Sequence, residues 1–366
     1  MLLVAIFFGL FFGVCVAIII WPRQRVRHDR TARAAQPRVS ILVAARNEEA
    51  CIERCLRALA AQKYPASQLE ILIADDGSTD NTAAVVRAFI ADKPQFRMLS
   101  VQHRLGGTKG KTNALAHLCR AATSDYFLFT DADMAVAPDW TAAMLAAVTP
   151  EVGIVTGITT AGGNLFGRLQ GLDWLFGLNI IRLLAEQGLP STTIGNNMLV
   201  TRAAYTDVGG FEGMAFSTNE DLQLFRHIRA KGWGFRNLCS PEVLGVSEPQ
   251  PTVAALLEQR KRWMKGATRL PWYLTGLFGM YGVFYAVLFA PGLIPLVPML
   301  AIYSGKILLQ TLYLHLTLRQ VGRREQLGVL LLYEPYLCVM SLAVLAYTLW
   351  PSPVEWKQRR YEWAEA

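Results

Sequence analysis

The chain has 366 residues, 52% of them hydrophobic, and a formal net charge of +8. Because the apolar residues gather at its two ends, these totals fit neither a purely soluble domain nor a polytopic carrier. Six cysteines without a C-x-x-C pair suggest neither a structural zinc nor an oxidised scaffold.

Residues 2–20 are apolar without one charge and are followed by Arg23, Arg25, Arg27, Arg30, Arg33 and Arg38. A cleaved signal peptide carries its positive charge before a shorter apolar run, so a retained membrane helix is expected. The arginines then orient it, with the N-terminus outside and the globular part in the cytoplasm, at the inner membrane in a bacterial cell. Anionic headgroups account for most of the excess charge, and no nucleic-acid partner is expected. The expected organisation is a span over 1–22, a basic linker over 23–37, a globular domain over 38–268, membrane segments over 269–350 and a basic tail over 351–366.

Residues 39–44 read as a strand, followed by a helical pattern that ends near Gln62. Residues 69–74 form a second strand running onto Asp75-Asp76-Gly77-Ser78, with a helix over 81–91 behind it. A third strand is expected over 96–101 and a helix over 112–122. A buried strand over 126–130 then emerges onto Asp131-Ala132-Asp133. Strands alternating with helices imply an α/β domain with a mostly parallel sheet, whose ligands sit beyond the carboxyl ends of the strands. The polar clusters lie at such ends.

Each cluster has a chemical and a plain reading. Asp131 and Asp133, spaced i, i+2, can aim at one divalent ion that keeps other positions for water and a diphosphate; alone, they are also ordinary turn residues. Asp76 can accept from a pyrimidine N–H, or the turn can simply cap the next helix. The loop 106–111, ending in Lys111, suits an anion at a helix N-terminus but lacks the Walker spacing.

Further on, a helix over 140–148 and a strand over 152–158 are expected, then a helix over 165–184 apolar enough to lie at the bilayer surface, with core burial as the alternative. A strand over 194–200 follows. Glu220 and Asp221 open a helix, where they complement its dipole, or where Asp221 serves as a general base. Gln259, Arg262 and Trp263 sit on a basic helix beside the membrane. There Arg262 can neutralise a diphosphate and Trp263 can pack on a sugar or lipid.

From about Trp272 the chain is apolar, with candidate spans over 278–290, 293–318 and 327–350. Three crossings would leave the tail outside, yet Lys357, Arg359 and Arg360 prefer the inside, so either one segment is re-entrant or interfacial, with the proline-rich stretch 291–298 the first candidate, or the tail breaks the rule. Glu334, at membrane depth, calls for a function or for a partner on a neighbouring span.

Taken in order, these clusters over about residues 37–267 resemble the membrane-integrated enzymes of glycosyltransferase family 2, which include lipid glucosyltransferases and β-polysaccharide synthases. The resemblance implies a GT-A, Rossmann-type fold. It implies that Asp76 in D-D-G-S contacts the uridine and that Asp131 and Asp133 in D-x-D hold Mg²⁺ or Mn²⁺ on the diphosphate. It further implies that Glu220-Asp221 is the base motif, although Thr218 is displaced by one from T-E-D, and that Gln259, Arg262 and Trp263 are the Q-x-x-R-W. Ala45, Glu48 and Lys111 are expected around the same donor. Residues 356–361 resemble a W-K-G-R-x-Y of some lipid glycosyltransferases, with Gln358 for glycine. The activity implied is inverting transfer of a hexose from a UDP-sugar to a membrane lipid. The alternatives are a processive β-polysaccharide synthase acting on a growing glycan and a membrane-tethered nucleotide-binding protein without turnover. Sugar, acceptor and oligomeric state stay open.

Overall fold

The computed structural model describes residues 2–21, 36–101, 103–267, 270–350, 354–357 and 359–361. The linker arginines from Arg23 to Arg33 lie outside the described residues. Helix α1 (Leu2–Ile20) precedes an alternating series: β1 (Val39–Ala45), α2 (Ile52–Ala60), β2 (Leu69–Asp75), α3 (Thr82–Ile90), β3 (Phe96–Ser100), α4 (Gly110–Ala121) and β4 (Tyr126–Asp131). β1 pairs in parallel with both β2 and β4, and β2 in parallel with β3. Parallel strands covered by helices are buried on both faces, which is why β1, β2 and β4 are near-continuous apolar runs.

The chain then departs from simple alternation. After β5 (Met134–Val136) and α5 (Trp140–Ala146), the stretch expected as one strand divides into β6 (Val152–Thr156) and β7 (Ile158–Ala161), which join different sheets. The break is at Gly157, where a Cβ would stand 2.2 Å from Asn197 Oδ1. Asn197 fills that space because it donates to the Ile158 and Val243 carbonyls and accepts from Trp140 Nε1. Beyond α6 (Leu165–Glu186), strand β8 starts at Asn197 and runs to Thr201, so residues 194–196 are loop instead of the expected strand. Helices α7 (Arg202–Asp207) and α8 (Glu220–Ala230), strands β9 (Gly234–Asn237) and β10 (Leu244–Ser247), and helix α9 (Val253–Ala267) complete the domain.

The main sheet has the order β3-β2-β1-β4-β8-β6-β9, with β8 antiparallel to β4 and β6, and a small sheet has the order β5-β10-β7. It is a mixed α/β architecture with a mostly parallel sheet. The helix weighed between bilayer surface and core is packed by protein on two faces. One face of α6 lies on β7, with Gly171 so close that a Cβ would be 2.2 Å from the Ala161 carbonyl oxygen. Its other face meets the C-terminal helices through Asn179 to Thr317 and Tyr313 to the Phe176 carbonyl.

Those helices are α10 (Trp272–Leu288), α11 (Leu296–Gln320) and α12 (Leu327–Leu349), followed by a small hairpin of β11 (Val354–Trp356) and β12 (Arg359–Tyr361). Helices α1, α11 and α12 are long and apolar enough to cross a membrane; α10, at 17 residues, is shorter. Glu334 finds its partner on the neighbouring helix, Lys306 at 2.5 Å, and both are almost completely buried.

Candidate active site

The carboxyl ends of β1, β2 and β4 open into a cavity of about 680 Å³. Ala45, Glu48, Asp76, Lys111, Asp131, Asp133, Glu220, Asp221, Gln259, Arg262 and Trp263 all line it. Residues from six separate stretches of sequence therefore line one cavity.

Asp131 ends β4 and Asp133 sits in the two-residue turn to β5. Lys111, in the first turn of α4, reaches Asp131 Oδ1 at 2.7 Å and Glu220 Oε1 at 3.0 Å. Burial works against the lysine's charge, but Asp131 and Glu220 outweigh it and hold the ammonium above its ordinary range. Asp133 accepts from Ser247 Oγ at 3.2 Å. Burial, reinforced by Asp131 and Glu48, pushes its carboxyl up to about 7.

Such acid crowding is what a divalent cation relieves. Among the described residues there is no cluster of three or more His, Cys, Asp or Glu side chains around one point. Two carboxylates with the remaining positions left to water and phosphate oxygens are a donor set suited to Mg²⁺ or Mn²⁺, which bind through one or two carboxylates and a substrate phosphate.

Asp221 stands at the start of α8. The Gly195 N–H donates to its Oδ2 at 2.7 Å and the Leu222 N–H to its Oδ1 at 2.8 Å, so the carboxylate is fixed in orientation. Burial and the neighbouring Glu220 nevertheless raise it to about 6. A Cβ on Gly195 would come within 3.1 Å of the Asp221 Cβ, and this close approach lets the backbone N–H reach the carboxylate.

The Gln259–Trp263 stretch enters from α9. Arg262 is anchored by the Thr218 carbonyl at 3.4 Å, while Asn219 donates to the Arg262 carbonyl, tying α9 to the start of α8. The Trp263 ring meets Trp174 of α6 at 4.7 Å, with the Arg260 guanidinium 4.3 Å above it and paired to Asp173. Past these rings the cavity turns apolar, along Leu178 and Ile181 of α6, Met264, Leu270 and Phe278.

Five contributors escaped the sequence reading. Gly195 gave no signal, because a backbone donor is invisible in a loop expected to be a strand. Asp173 and Arg260 read as an ordinary polar face. Lys357 and Arg359 were visible only as a basic tail, yet the β11–β12 hairpin folds back onto Glu48 and Asp76. Lys357 pairs with Glu48 at 2.9 Å and donates to the Asn47 carbonyl, while Arg359 pairs with Asp76. Lys357 takes φ +48° in the hairpin turn, a conformation that a side chain rarely adopts and that aims its ammonium into the cavity.

Residues 2–365 match the family model described as Glycosyl transferase family 21. The chain belongs to glycosyltransferase family 21. The glycosyltransferase expected from the motifs therefore stands, under this family number. The family 21 enzyme is 29% identical over 238 residues to a beta-monoglucosyldiacylglycerol synthase of Synechocystis, covering 63% of this chain and 48% of the relative. It is 28% identical over 233 residues to a poly-beta-1,6-N-acetyl-D-glucosamine synthase of Staphylococcus aureus, covering 62% and 54%. It thus spans about half the length of the curated relatives it matches. Among solved structures, a mannosyltransferase from Pyrobaculum calidifontis in complex with GDP-Man and Mn²⁺ superposes with a TM-score of 0.56 at 20% identity, over 94% of this chain and 95% of that one. That likeness shows the GT-A fold.

Proposed function

We propose that this family 21 enzyme transfers a hexose from a UDP-sugar to the hydroxyl of a membrane lipid, with inversion at the anomeric carbon. The observation that carries the reading is the two-ended cavity: acids and cations at the sheet end, an apolar arm at the end bordered by α6, α9 and α10, and Asp221 lining the same cavity. A sugar nucleotide suits the first end and a lipid chain the second.

Asp76 and Ala45 face the base, and Lys111 and Arg262 supply positive charge for the diphosphate. Bound by Asp131 and Asp133, Mg²⁺ or Mn²⁺ would neutralise the leaving diphosphate. Asp221 accepts the proton of the acceptor hydroxyl as that oxygen attacks the anomeric carbon, and the C–O bond to the diphosphate breaks with its electron pair staying on phosphate. One displacement with no covalent intermediate inverts the centre, so an α-linked donor gives a β-linked lipid. Lys111 bridges the two ends of the reaction through Asp131 and Glu220. The catalytic domain is placed on the cytoplasmic side, where nucleotide sugars are available.

The test is a donor screen: membranes carrying the full chain are supplied with several UDP-sugars and the lipid fraction is weighed by mass spectrometry. A lipid heavier by one sugar supports the reading. Polymer formed from UDP-sugar without a lipid acceptor would favour the synthase, to which the Staphylococcus relative is named.

A further inference from the structure

The sequence leaves a conflict: three C-terminal crossings would carry the basic tail to the opposite side from the catalytic domain, yet Lys357 lines the cavity and pairs with Glu48, and Arg359 pairs with Asp76 of the same domain. An even number of C-terminal helices must therefore cross. We propose that α12 is the one that does not, and that it lies along the lipid surface, pressed between the catalytic domain and the outer part of the bilayer.

By length and hydropathy α12 qualifies as a span: 23 residues extend about 34 Å at 1.5 Å per residue. Its two ends contradict a crossing. Just before it, Glu325 pairs with Arg168 of α6 at 3.0 Å; just after it, the Trp350 carbonyl accepts from Lys261 of α9 at 2.9 Å. Between these points Tyr333 donates to Asp173 at 3.1 Å and Tyr347 donates to Glu258. Helix α9 also carries Gln259 and Arg262 into the cavity, so it belongs to the aqueous side. A crossing helix would hold its ends apart by a hydrocarbon layer of about 30 Å, and Arg168 or Lys261 would have to sit beyond it.

Helices α10 and α11 behave otherwise. Tyr273 ties the start of α10 to the Pro190 carbonyl, Phe284 in its second half packs on Phe8 and Phe11 of α1, and α11 returns to the domain where Gln320 meets the Cys239 carbonyl. They form an out-and-back hairpin beside α1. The side of α12 turned from the protein exposes Val339, Leu342, Leu345 and Leu349, between half and three quarters accessible and on one helical face. Glu334, the only acidic or basic residue of α12, points inward to Lys306. Arg323 and Arg324 precede the helix and Trp350 follows it, residues suited to headgroup depth. This face is continuous with the α1–α10–α11 bundle, and its occupant is the lipid monolayer. The proline-rich link between α10 and α11, the first candidate from sequence for the non-crossing piece, becomes the turn at the far side.

The test is sidedness of labelling in sealed membrane vesicles with a membrane-impermeant thiol reagent, read peptide by peptide so that native cysteines need not be removed. Arg324→Cys and Ser352→Cys bracket α12, and Leu293→Cys reports the opposite face; each variant is first checked for UDP release from a UDP-sugar. Labelling of positions 324 and 352 from the same face is expected, and labelling from opposite faces overturns the proposal. A photoactivatable phospholipid should also mark the peptide holding Val339 to Leu349. Cross-linking of that peptide to a second copy of the chain, with no lipid adduct, overturns the choice of lipid as its occupant.

Discussion

In the proposed reaction, Asp221 is the residue on which the chemistry turns. A carboxylate held near 6 is largely ionised at neutral pH yet basic enough to accept a proton in the transition state. Asp221→Asn keeps the shape and removes that function, so transfer should fall by roughly 10²–10⁴-fold while UDP binding, followed by calorimetry, stays within about twofold. The sign of the pH dependence follows from the raised value. Asp221 must be deprotonated to act, so kcat/KM should decline as pH falls through about 6 and level off above it. Asp133 makes a separate prediction. Protons compete for its carboxyl near 7, so Mn²⁺ binding to the full chain, measured by electron paramagnetic resonance, should weaken as pH falls below about 7 and weaken further in Asp133→Asn. At this scale the sequence exposed the acids, because a strand end carrying D-x-D and a helix start carrying E-D stand out in a pattern. It could not expose the Gly195 N–H, which matters through backbone direction, or Lys357, which reaches Glu48 only after more than 300 residues of folding. Lys357→Ala should raise the donor KM about tenfold with a smaller change in kcat, and Lys357→Arg should restore most of it, as expected if its charge-assisted contact to Glu48 holds the donor end of the cavity in shape.

Secondary-structure elements position these residues through close contacts. Gly171 lets α6 settle on β7, and an added Cβ would meet the Ala161 backbone carbonyl at 2.2 Å, which no side-chain rotation relieves. Gly171→Ala should therefore lower stability by about 1–3 kcal/mol, visible as a reduced thermal midpoint of the purified chain, and should loosen the wall carrying Asp173 and Trp174. Lys306 and Glu334 link α11 and α12, with Tyr285 of α10 bridging them at 2.7 Å to the carboxylate and 2.9 Å to the ammonium. Removing one charge leaves the other buried alone at a cost of about 3–5 kcal/mol, whereas replacing both by methionine should recover most of that loss. Glu334 was legible as a problem and its partner was not, since pairing across helices depends on their packing. The same limit explains β6 and β7. Residues 152–158 are uniformly apolar or small, so periodicity reads one strand, and only Asn197, brought in from elsewhere, shows why Gly157 must turn the chain into a second sheet. Strands β1, β2 and β4 were readable because parallel, doubly covered strands are near-continuous apolar runs whose ends announce themselves with polar residues.

Across the molecule, a GT-A domain, a hairpin from the C-terminal tail and apolar helices meet at one cavity. The order of elements follows from the alternating pattern of the first half, while the return of the tail to Glu48 and Asp76 is a tertiary result that charge counting alone contradicted. The cavity joins an end lined by acids and cations to an apolar arm, which suits the proposed pair of substrates, one dissolved in water and the other in the bilayer. The central claim is that Asp221 accepts the acceptor's proton as sugar passes from a nucleotide onto a lipid at this junction. It is tested most directly by incubating the purified full chain and its Asp221→Asn variant with a UDP-sugar in lipid vesicles and measuring the mass of the lipids. The account predicts a lipid gaining one sugar with the native chain and none with the variant, although both bind UDP; equal product from the two proteins would contradict it.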